Sequence, residues 1–232
     1  MTARATRALH VHLEGFTASY RHPLVLSGTQ MSTPMPAYSN LLGMISSCAG
    51  RPLRPAETRV GFEFRCAFQD LEMERTVRFE MKRGALRPHS KGQGIVRRQV
   101  YWQPRLDLYV TNLALRSAFY RPTATPCFGR SQDIAWITSV TEVDLEPMES
   151  GVLGPTLLPQ PARDVPGHMV RLPEWYENDR EGYTRQPGPL GLYQAMLPTT
   201  DLLFQVSRPD LYHPSDAERP NKVIYLHEWI HE

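Results

Sequence analysis

The chain has 232 residues, of which 41% are hydrophobic and 22% charged, and its mean hydropathy is −0.41. This composition describes a globular protein with a real core, and no stretch approaches the roughly 20 apolar residues that span a bilayer. Three cysteines without CxxC spacing argue against a disulfide scaffold or a thiolate zinc site. We therefore expect a reduced, cytoplasmic protein that has no membrane contact.

The first predicted elements are a strand and a helix. Residues 8–15 alternate apolar and polar side chains, as in a half-buried strand with His10 and His12 on its solvent face. Apolar residues at i, i+3, i+4 and i+7 predict a helix that begins at Tyr38 and ends before Gly50. This helix also carries three small or polar residues that would let a phosphate or a neighbouring backbone approach, namely Ser39, Asn40 and Gly43.

The middle of the chain combines strands with a basic segment. Alternation predicts strands over 60–68 and 73–81. Segment 82–99 breaks this pattern, because it has no acid, three glycines and six cations: Lys82, Arg83, Arg87, Lys91, Arg97 and Arg98. It is too polar for a core and too rich in glycine for a stable helix, which predicts a mobile basic arm inserted between strands. Tyr101, Trp102 and Tyr109 follow, and they either stack on bases or belong to the core.

The charge is unevenly distributed along the chain. Residues 51–130 carry 16 Lys and Arg against 7 Asp and Glu, a net of +9, whereas residues 131–232 carry 7 against 16, a net of −9. A basic middle section favours a localised anionic partner, for which nucleic acid is the usual candidate. The alternative is that the two halves neutralise each other within the fold.

The last part of the chain has few clear elements. A corner at Gly129, Arg130 and Ser131 precedes a strand that begins near Ile134. After residue 146 the chain is acidic and holds 12 of the 21 prolines, which predicts a small, strand-poor, loop-rich lobe. The final "HEWIHE" matches the zinc motif H-E-x-x-H, but the motif needs a helix and this stretch follows the strand-like "KVIYL", so we attribute the match to chance.

The order of three motifs resembles the RAMP proteins of Cas family five, the CRISPR Cascade subunit that caps the 5′ handle of the guide RNA. The motifs are Tyr20-Arg21-His22-Pro23 after the first strand, Leu41-Leu42-Gly43 in the helix, and Phe128-Gly129-Arg130-Ser131 before a later strand. Together they cover roughly residues 8–145. Phe128 stands where leucine is commoner and Gln132 where an acid is frequent, which leaves the subtype open, with type I-B as the nearest pattern.

The resemblance implies an α+β fold: a ferredoxin-like (RRM-like) domain over residues 1–146 with a basic thumb at about 82–99, and a C-terminal lobe over 147–232. It implies a non-catalytic RNA-binding subunit that packs against the Cascade backbone subunit and the large subunit, with no cofactor or metal. Whether it also touches target DNA near the PAM stays open. The expected RNA-binding residues are Ser19, Tyr20, Arg21, Ser39, Asn40, Gly43, Lys82, Arg83, Arg87, Lys91, Arg97, Arg98, Gly129, Arg130 and Ser131.

Two other functions compete with this interpretation. One branch of the same family cuts precursor guide RNA without metal, for which His89, Lys91 and Tyr101 are the candidate acid and base groups here. A protein-only scaffold subunit, whose basic arm binds an acidic protein face, is the other.

Overall fold

The fold is mostly β-sheet, with one long helix. The computed structural model describes residues 5–22, 29–178 and 184–230, so Pro23 of the first motif and His231 of the last lie outside the described residues. The strands are β1 (Thr6–Gly15), β2 (Thr17–Ala18), β3 (Thr29–Gln30), β4 (Val60–Arg65), β5 (Phe68–Lys82), β6 (Ala85–Trp102), β7 (Arg105–Val110), β8 (Ala135–Leu153), β9 (Leu157–Pro159), β10 (His168–Pro173), β11 (Tyr176–Asn178), β12 (Arg185–Pro187), β13 (Leu190–Ala195), β14 (Phe204–Pro214) and β15 (Lys222–His227). The helices are α1 (Tyr38–Ala49) and α2 (Arg116–Tyr120), with 3-10 turns at Pro55–Glu57 and Leu113–Leu115.

A closed barrel forms the centre of the molecule. Its strand order is β1-β7-β4-β15-β14-β8, and β8 returns to β1 to close it. β1 is antiparallel to both of its neighbours, with His10 opposite Tyr109 of β7 and Thr141 of β8. A separate sheet of order β10-β13-β9 and the small β11–β12 hairpin complete the C-terminal part.

The helix predicted over 38–49 is confirmed as α1. Its apolar stripe is buried, with Tyr38, Leu41 and Ile45 each at most 2% exposed. Gly50 ends the helix with φ of 67°, a left-handed backbone conformation that glycine adopts without steric cost. The strand predicted over 8–15 is also confirmed, as the larger part of β1.

The two faces of the barrel strands belong to different hydrophobic clusters. The larger cluster joins one face of the strands to α1 and the β10-β13-β9 sheet. The smaller cluster comes from five of the six barrel strands and lies on the opposite face: Ala8, Tyr109, Val143, Leu145, Tyr212, Ile224 and Leu226. His10 and His12 lie on the face of this cluster and are half-buried, rather than open to solvent as the sequence predicted.

Segment 82–99 is not an arm that interrupts the strands; most of it is a strand itself. β5 and β6 pair in antiparallel register from Phe68 opposite Trp102 to Lys82 opposite Ala85, which makes a long ribbon; at its base β2 and β3 also pair with β6, β3 opposite Arg97 and Arg98. Arg83 and Gly84 form the turn, with φ of 53° and 74°. The cations and glycines hide the alternation of β6, but the ladder with β5 satisfies its backbone groups whatever side chains it carries.

The C-terminal part is rich in strands, contrary to the prediction of a strand-poor lobe. β14 and β15 are strands of the barrel, and β8 runs without a break across the expected boundary at 146/147. The prolines that suggested loops end strands, as at Pro159, Pro173 and Pro214. Prolines are tolerated at strand ends and bulges because no ladder hydrogen bond is then lost.

Candidate nucleic-acid interface

The β5–β6 ribbon has two different faces. Side chains alternate across a strand, and cross-strand partners share a face, so Met73 and Arg97 lie on one side and Glu72 and Arg98 on the other. We call the first side the apolar face and the second the charged face.

The apolar face is exposed and contains no acid. Its apolar members are between 43% and 72% exposed: Leu71, Met73, Val77, Phe79, Met81, Leu86 and Ile95. Its two cations are Arg75 and Arg97, and Arg75 donates a hydrogen bond to Gln93 at 3.1 Å on the same face. An exposed apolar stripe of this length indicates a surface that another molecule covers.

On the charged face, the cations and acids nearest the barrel form ion pairs with one another. Arg98 Nε lies 2.9 Å from a Glu74 oxygen, and Arg130 reaches Glu72 at 3.3 Å and Glu74 at 3.7 Å. The guanidinium of Arg130 also donates to the buried Asp133 at 2.8 Å, and this hydrogen bond raises the pKa of Arg130. The side chains of Arg98 and Arg130 are only 13% exposed, so these two predicted RNA contacts are engaged within the protein.

Most of the cations that are open to solvent lie in the outer half of the ribbon. Residues 75–95, whose ends pair with each other, contain six Lys or Arg and one Glu, a net of +5 (6 − 1), whereas residues 68–74 and 96–102 contain three acids and two arginines. Lys82 lies 3.5 Å from Glu80 and is exposed. Within the described residues no ion pair involves the other exposed cations of the ribbon, which are Arg75, Arg78, Arg83, Arg87, Lys91 and Arg97.

Sequence reasoning missed Arg75 and Arg78. Both are exposed cations of β5, but they stand among the acids of a predicted strand, and the basic segment appeared to begin only at Lys82. The period-two alternation of β5 could have identified Arg75, because it places this residue on the face opposite the acids.

The Phe128–Ser131 corner has a structural role. Gly129 has φ of 107°, and a Cβ at this position would collide with the Ser19 carbonyl oxygen. The Ser19 N–H donates to the Phe128 carbonyl at 3.0 Å, and the Tyr20 ring packs edge-on against Phe64. The corner therefore fixes the chain before Arg21. Of the residues predicted here, Ser19 and Tyr20 are buried, and Arg21 and Ser131 are exposed.

The predicted helix residues lie apart from the ribbon in the fold. Asn40 and Gly43 are on the exposed side of α1, and Ser39 is half-buried. Asn40 accepts a hydrogen bond from the Ala37 N–H at 3.0 Å, which occupies its side chain at the start of the helix. A Cβ on Gly43 would have no neighbour within 4 Å, so close packing within this chain does not require glycine there.

The aromatic candidates divide between core and surface. Tyr101 and Tyr109 are 1% and 4% exposed, so they are core residues, and burial raises the pKa of both phenols. Trp102 is 36% exposed and stacks on Phe68 at a ring distance of 5.9 Å. In an RRM, bases stack on the open face of the sheet. Here part of the corresponding face of β1 and β7 is covered, because Ala8 and Tyr109 are buried in the smaller cluster, whereas Arg105 on the same face is 69% exposed.

The H-E-x-x-H match does not form a metal site in the part of the chain that the structure describes. His227 is the last residue of a strand, 1% exposed, and it bonds to Glu174 at 2.7 Å and stacks on Tyr38 at 3.8 Å. Glu228 is exposed, and His231 lies outside the described residues. Within those residues no group of three or more potential ligands could hold a metal ion. Nor does any described helix have the length and apolar content that crossing a bilayer requires.

Comparison with solved structures finds the same fold in a CRISPR assembly. A chain described as "CRISPR RNA-guided surveillance complex" matches with a TM-score of 0.52 at 14% identity, over 86% of this chain and 91% of that chain. A CRISPR protein from Archaeoglobus fulgidus has a TM-score of 0.49 at 10% identity, over 96% and 100% of the two chains. A chain of "Type III-B Cmr-beta bound to cognate target RNA" has 0.46 at 11% identity, over 86% of each. No family model and no curated protein matches the sequence. The first match shows that the two chains share a fold.

Proposed function

We propose that this chain is a non-catalytic RNA-binding subunit of a type I CRISPR Cascade surveillance complex, in which it holds the 5′ handle of the guide RNA. The observation that carries the proposal is the ribbon, whose outer half has a net charge of +5 and which exposes six cations without ion pairs among the described residues. Single-stranded RNA supplies the phosphates that such cations neutralise. The shared fold with a chain of a CRISPR RNA-guided surveillance complex supports the same assignment.

We further propose a Cas family-five RAMP protein of type I-B-like pattern; the strand order supports the RAMP part of this proposal, and the subtype rests on the sequence motifs. The sheet order β4-β7-β1-β8 is antiparallel throughout, and α1 connects β1 to β4. This is the arrangement of a ferredoxin-like unit, into which the β5–β6 ribbon is inserted between β4 and β7. The ribbon therefore stands where the basic thumb of such a protein is expected.

The RNA is proposed to contact the apolar face and the tip of the ribbon. The acids Asp70, Glu72, Glu74 and Glu80 all lie on the charged face and would repel phosphates there. The apolar face has no acid, and its Arg75 and Arg97 are flanked by side chains that can pack against unstacked bases. The proposed protein partners are the backbone subunit and the large subunit of the complex.

Binding of labelled RNA tests the proposal. The purified chain is titrated with a single-stranded RNA taken from the 5′ handle of the host's own CRISPR repeat, and with a scrambled RNA of equal length, at several salt concentrations. We expect the handle RNA to bind more tightly, with an affinity that falls as salt rises. Equal affinity for both RNAs, or an affinity independent of salt, would contradict the proposal. A protein-only scaffold predicts no RNA binding in this assay.

A metal-independent endoribonuclease is the second candidate, and one observation favours it. His89 and Lys91 occupy an ordered part of β6, where the Lys91 N–H donates to His89 Nδ1 at 3.1 Å. Tyr101, the third candidate, is buried and therefore separated from any RNA on the ribbon. Incubation with repeat RNA in EDTA distinguishes the two functions, because a discrete cut requires the nuclease and intact RNA supports capture alone.

A further inference from the structure

The ribbon contains a large bulge between two regular ladders. Val77 pairs with Gln93 and Phe79 pairs with Pro88, so Arg78 alone stands opposite four residues of β6. Those four residues are His89, Ser90, Lys91 and Gly92. An ordinary bulge places two residues opposite one. Here β6 has three residues more than a regular ladder would need, and they leave the ladder at one defined point.

The bulge is tightly folded around Gly92. A Cβ on Gly92 would lie 2.7 Å from the Arg78 carbonyl oxygen and 2.8 Å from the His89 carbonyl oxygen, so the backbone shape requires glycine. Gly92 is buried although its neighbours on both sides are exposed. A hydrogen bond from the Lys91 N–H to His89 Nδ1 holds the His89 side chain against the same backbone turn.

The side chains at the bulge are donors. Because His89 Nδ1 accepts the Lys91 N–H, the neutral imidazole carries its proton on Nε2, which is left to donate outward. The Ser90 hydroxyl and the Lys91 ammonium complete the set. All three residues are exposed, and no described ion pair involves Lys91. A group of donors without a carboxylate matches a phosphate diester.

We infer that the bulge of β6 is a binding site for one phosphodiester linkage of single-stranded RNA, with His89, Ser90 and Lys91 as its donors and Gly92 as the residue that positions them. This inference rests on the proposed function and deepens it, because it assigns one linkage of the RNA to one element of the ribbon. The inference requires that RNA binding depend on the backbone shape of the bulge as well as on its charge.

Two kinds of variant separate shape from charge. Gly92→Ala disturbs the bulge and removes no charge. Gly94→Ala is its matched control, because the nearest atom to that Cβ is the Thr76 hydroxyl at 3.2 Å, the end of a side chain that can rotate. Lys91→Gln removes one charge. Deletion of residues 89–91 leaves Gly92 opposite Arg78, and the ladders then join in one register with the tip and both faces unchanged.

The variants are titrated with handle RNA and with DNA of the same sequence, and circular dichroism checks the fold. We expect Gly92→Ala, Lys91→Gln and the deletion each to weaken RNA binding about tenfold, and Gly94→Ala to bind as the wild type does. Lys91→Gln lowers the slope of log K against log salt by roughly 0.7, as expected for one lost contact with a single strand. Equal losses for RNA and DNA support a phosphodiester site, whereas losses for RNA alone would assign the site to the ribose 2′-hydroxyl and contradict the inference.

The inference is overturned if the deletion and Gly92→Ala bind RNA as tightly as the wild type while substitutions at Arg83 and Arg87 weaken binding. In that case the ribbon binds RNA and the bulge does not. If substitutions at Arg83, Arg87 and Arg97 leave RNA binding unchanged as well, the proposed function fails instead. A deletion variant with altered circular dichroism is set aside, and the comparison of Gly92→Ala with Gly94→Ala decides the question.

Discussion

Arg97 and Arg98 are adjacent and chemically identical, yet they should respond in opposite ways to substitution. Arg97 is exposed on the apolar face opposite Met73, whereas Arg98 is 13% exposed and paired with Glu74 at 2.9 Å. We therefore predict that Arg97→Gln weakens RNA binding and leaves stability almost unchanged. Arg98→Gln should lower stability and leave the salt dependence of RNA binding unchanged.

The magnitudes follow from the contacts. One cation that neutralises a phosphate of single-stranded RNA contributes about 0.7 to the slope of log K against log salt, which at 0.1 M salt amounts to about fivefold in affinity. Loss of the charge-assisted hydrogen bond between Arg98 and Glu74 should cost about 1–2 kcal/mol. For a chain of this size, that corresponds to a fall in Tm of about 2–8 °C.

Fluorescence anisotropy with labelled handle RNA between 50 and 300 mM salt measures the slope, and thermal melting measures stability. The two single variants serve as each other's control, because each removes one arginine from the same strand. If Arg98→Gln reduced the salt slope while Arg97→Gln did not, the RNA would lie on the charged face, and the assignment of the two faces would be refuted.

Three further predictions concern the corner, the barrel and the apolar face. Gly129→Ala should destabilise the fold by about 1–3 kcal/mol or more, measured by urea unfolding, because φ is 107° and the new methyl group meets the Ser19 carbonyl. Burial acts to lower the pKa of His10, but hydrogen bonds to Asp107 and Asp216 outweigh it and raise the pKa to about 9. The stabilisation that protonated His10 contributes should therefore be complete below pH 6.5 and should disappear as the pH rises towards 9. In His10→Gln, the free energy of unfolding measured at pH 6 and at pH 9 should lack this difference. Met73→Glu should weaken RNA binding at least fivefold without lowering Tm, since it places the first acid on the apolar face; unchanged affinity would show that RNA does not approach that face.

The sequence was sufficient to predict the elements whose hydrophobic pattern is local. The helix over 38–49 and the strand at 8–15 were predicted correctly, because a single buried face imposes period 3.6 or period 2 on the residues themselves. β6 was not predicted as a strand, because its pairing with β5 and not the pattern of its own residues makes it one. The strand-like "KVIYL" is β15, but the sequence placed neither it nor β14 in the sheet of β1, because the two strands complete a barrel and that closure has no local signature.

The candidate site shows the same limit at the level of single residues. Nothing in the sequence separates Arg97 from Arg98, because which one meets an acid depends on the register of β6 against β5. Arg130 appears as a free cation in the sequence, yet Asp133, three residues later, and Glu72, far away in the chain, surround it in the structure. Sequence reasoning could identify the basic segment, and only the register divides it into cations that are neutralised and cations that are available.

Photocrosslinking of the assembled complex from two adjacent positions of β5 tests most directly whether the apolar face holds the RNA. p-Benzoylphenylalanine replaces Met73, which is 72% exposed on the apolar face, or Glu72, whose side chain is 44% exposed on the charged face. We expect the guide RNA to crosslink from position 73 and not from position 72. A crosslink from position 72 alone, or no RNA crosslink from either, would contradict the account.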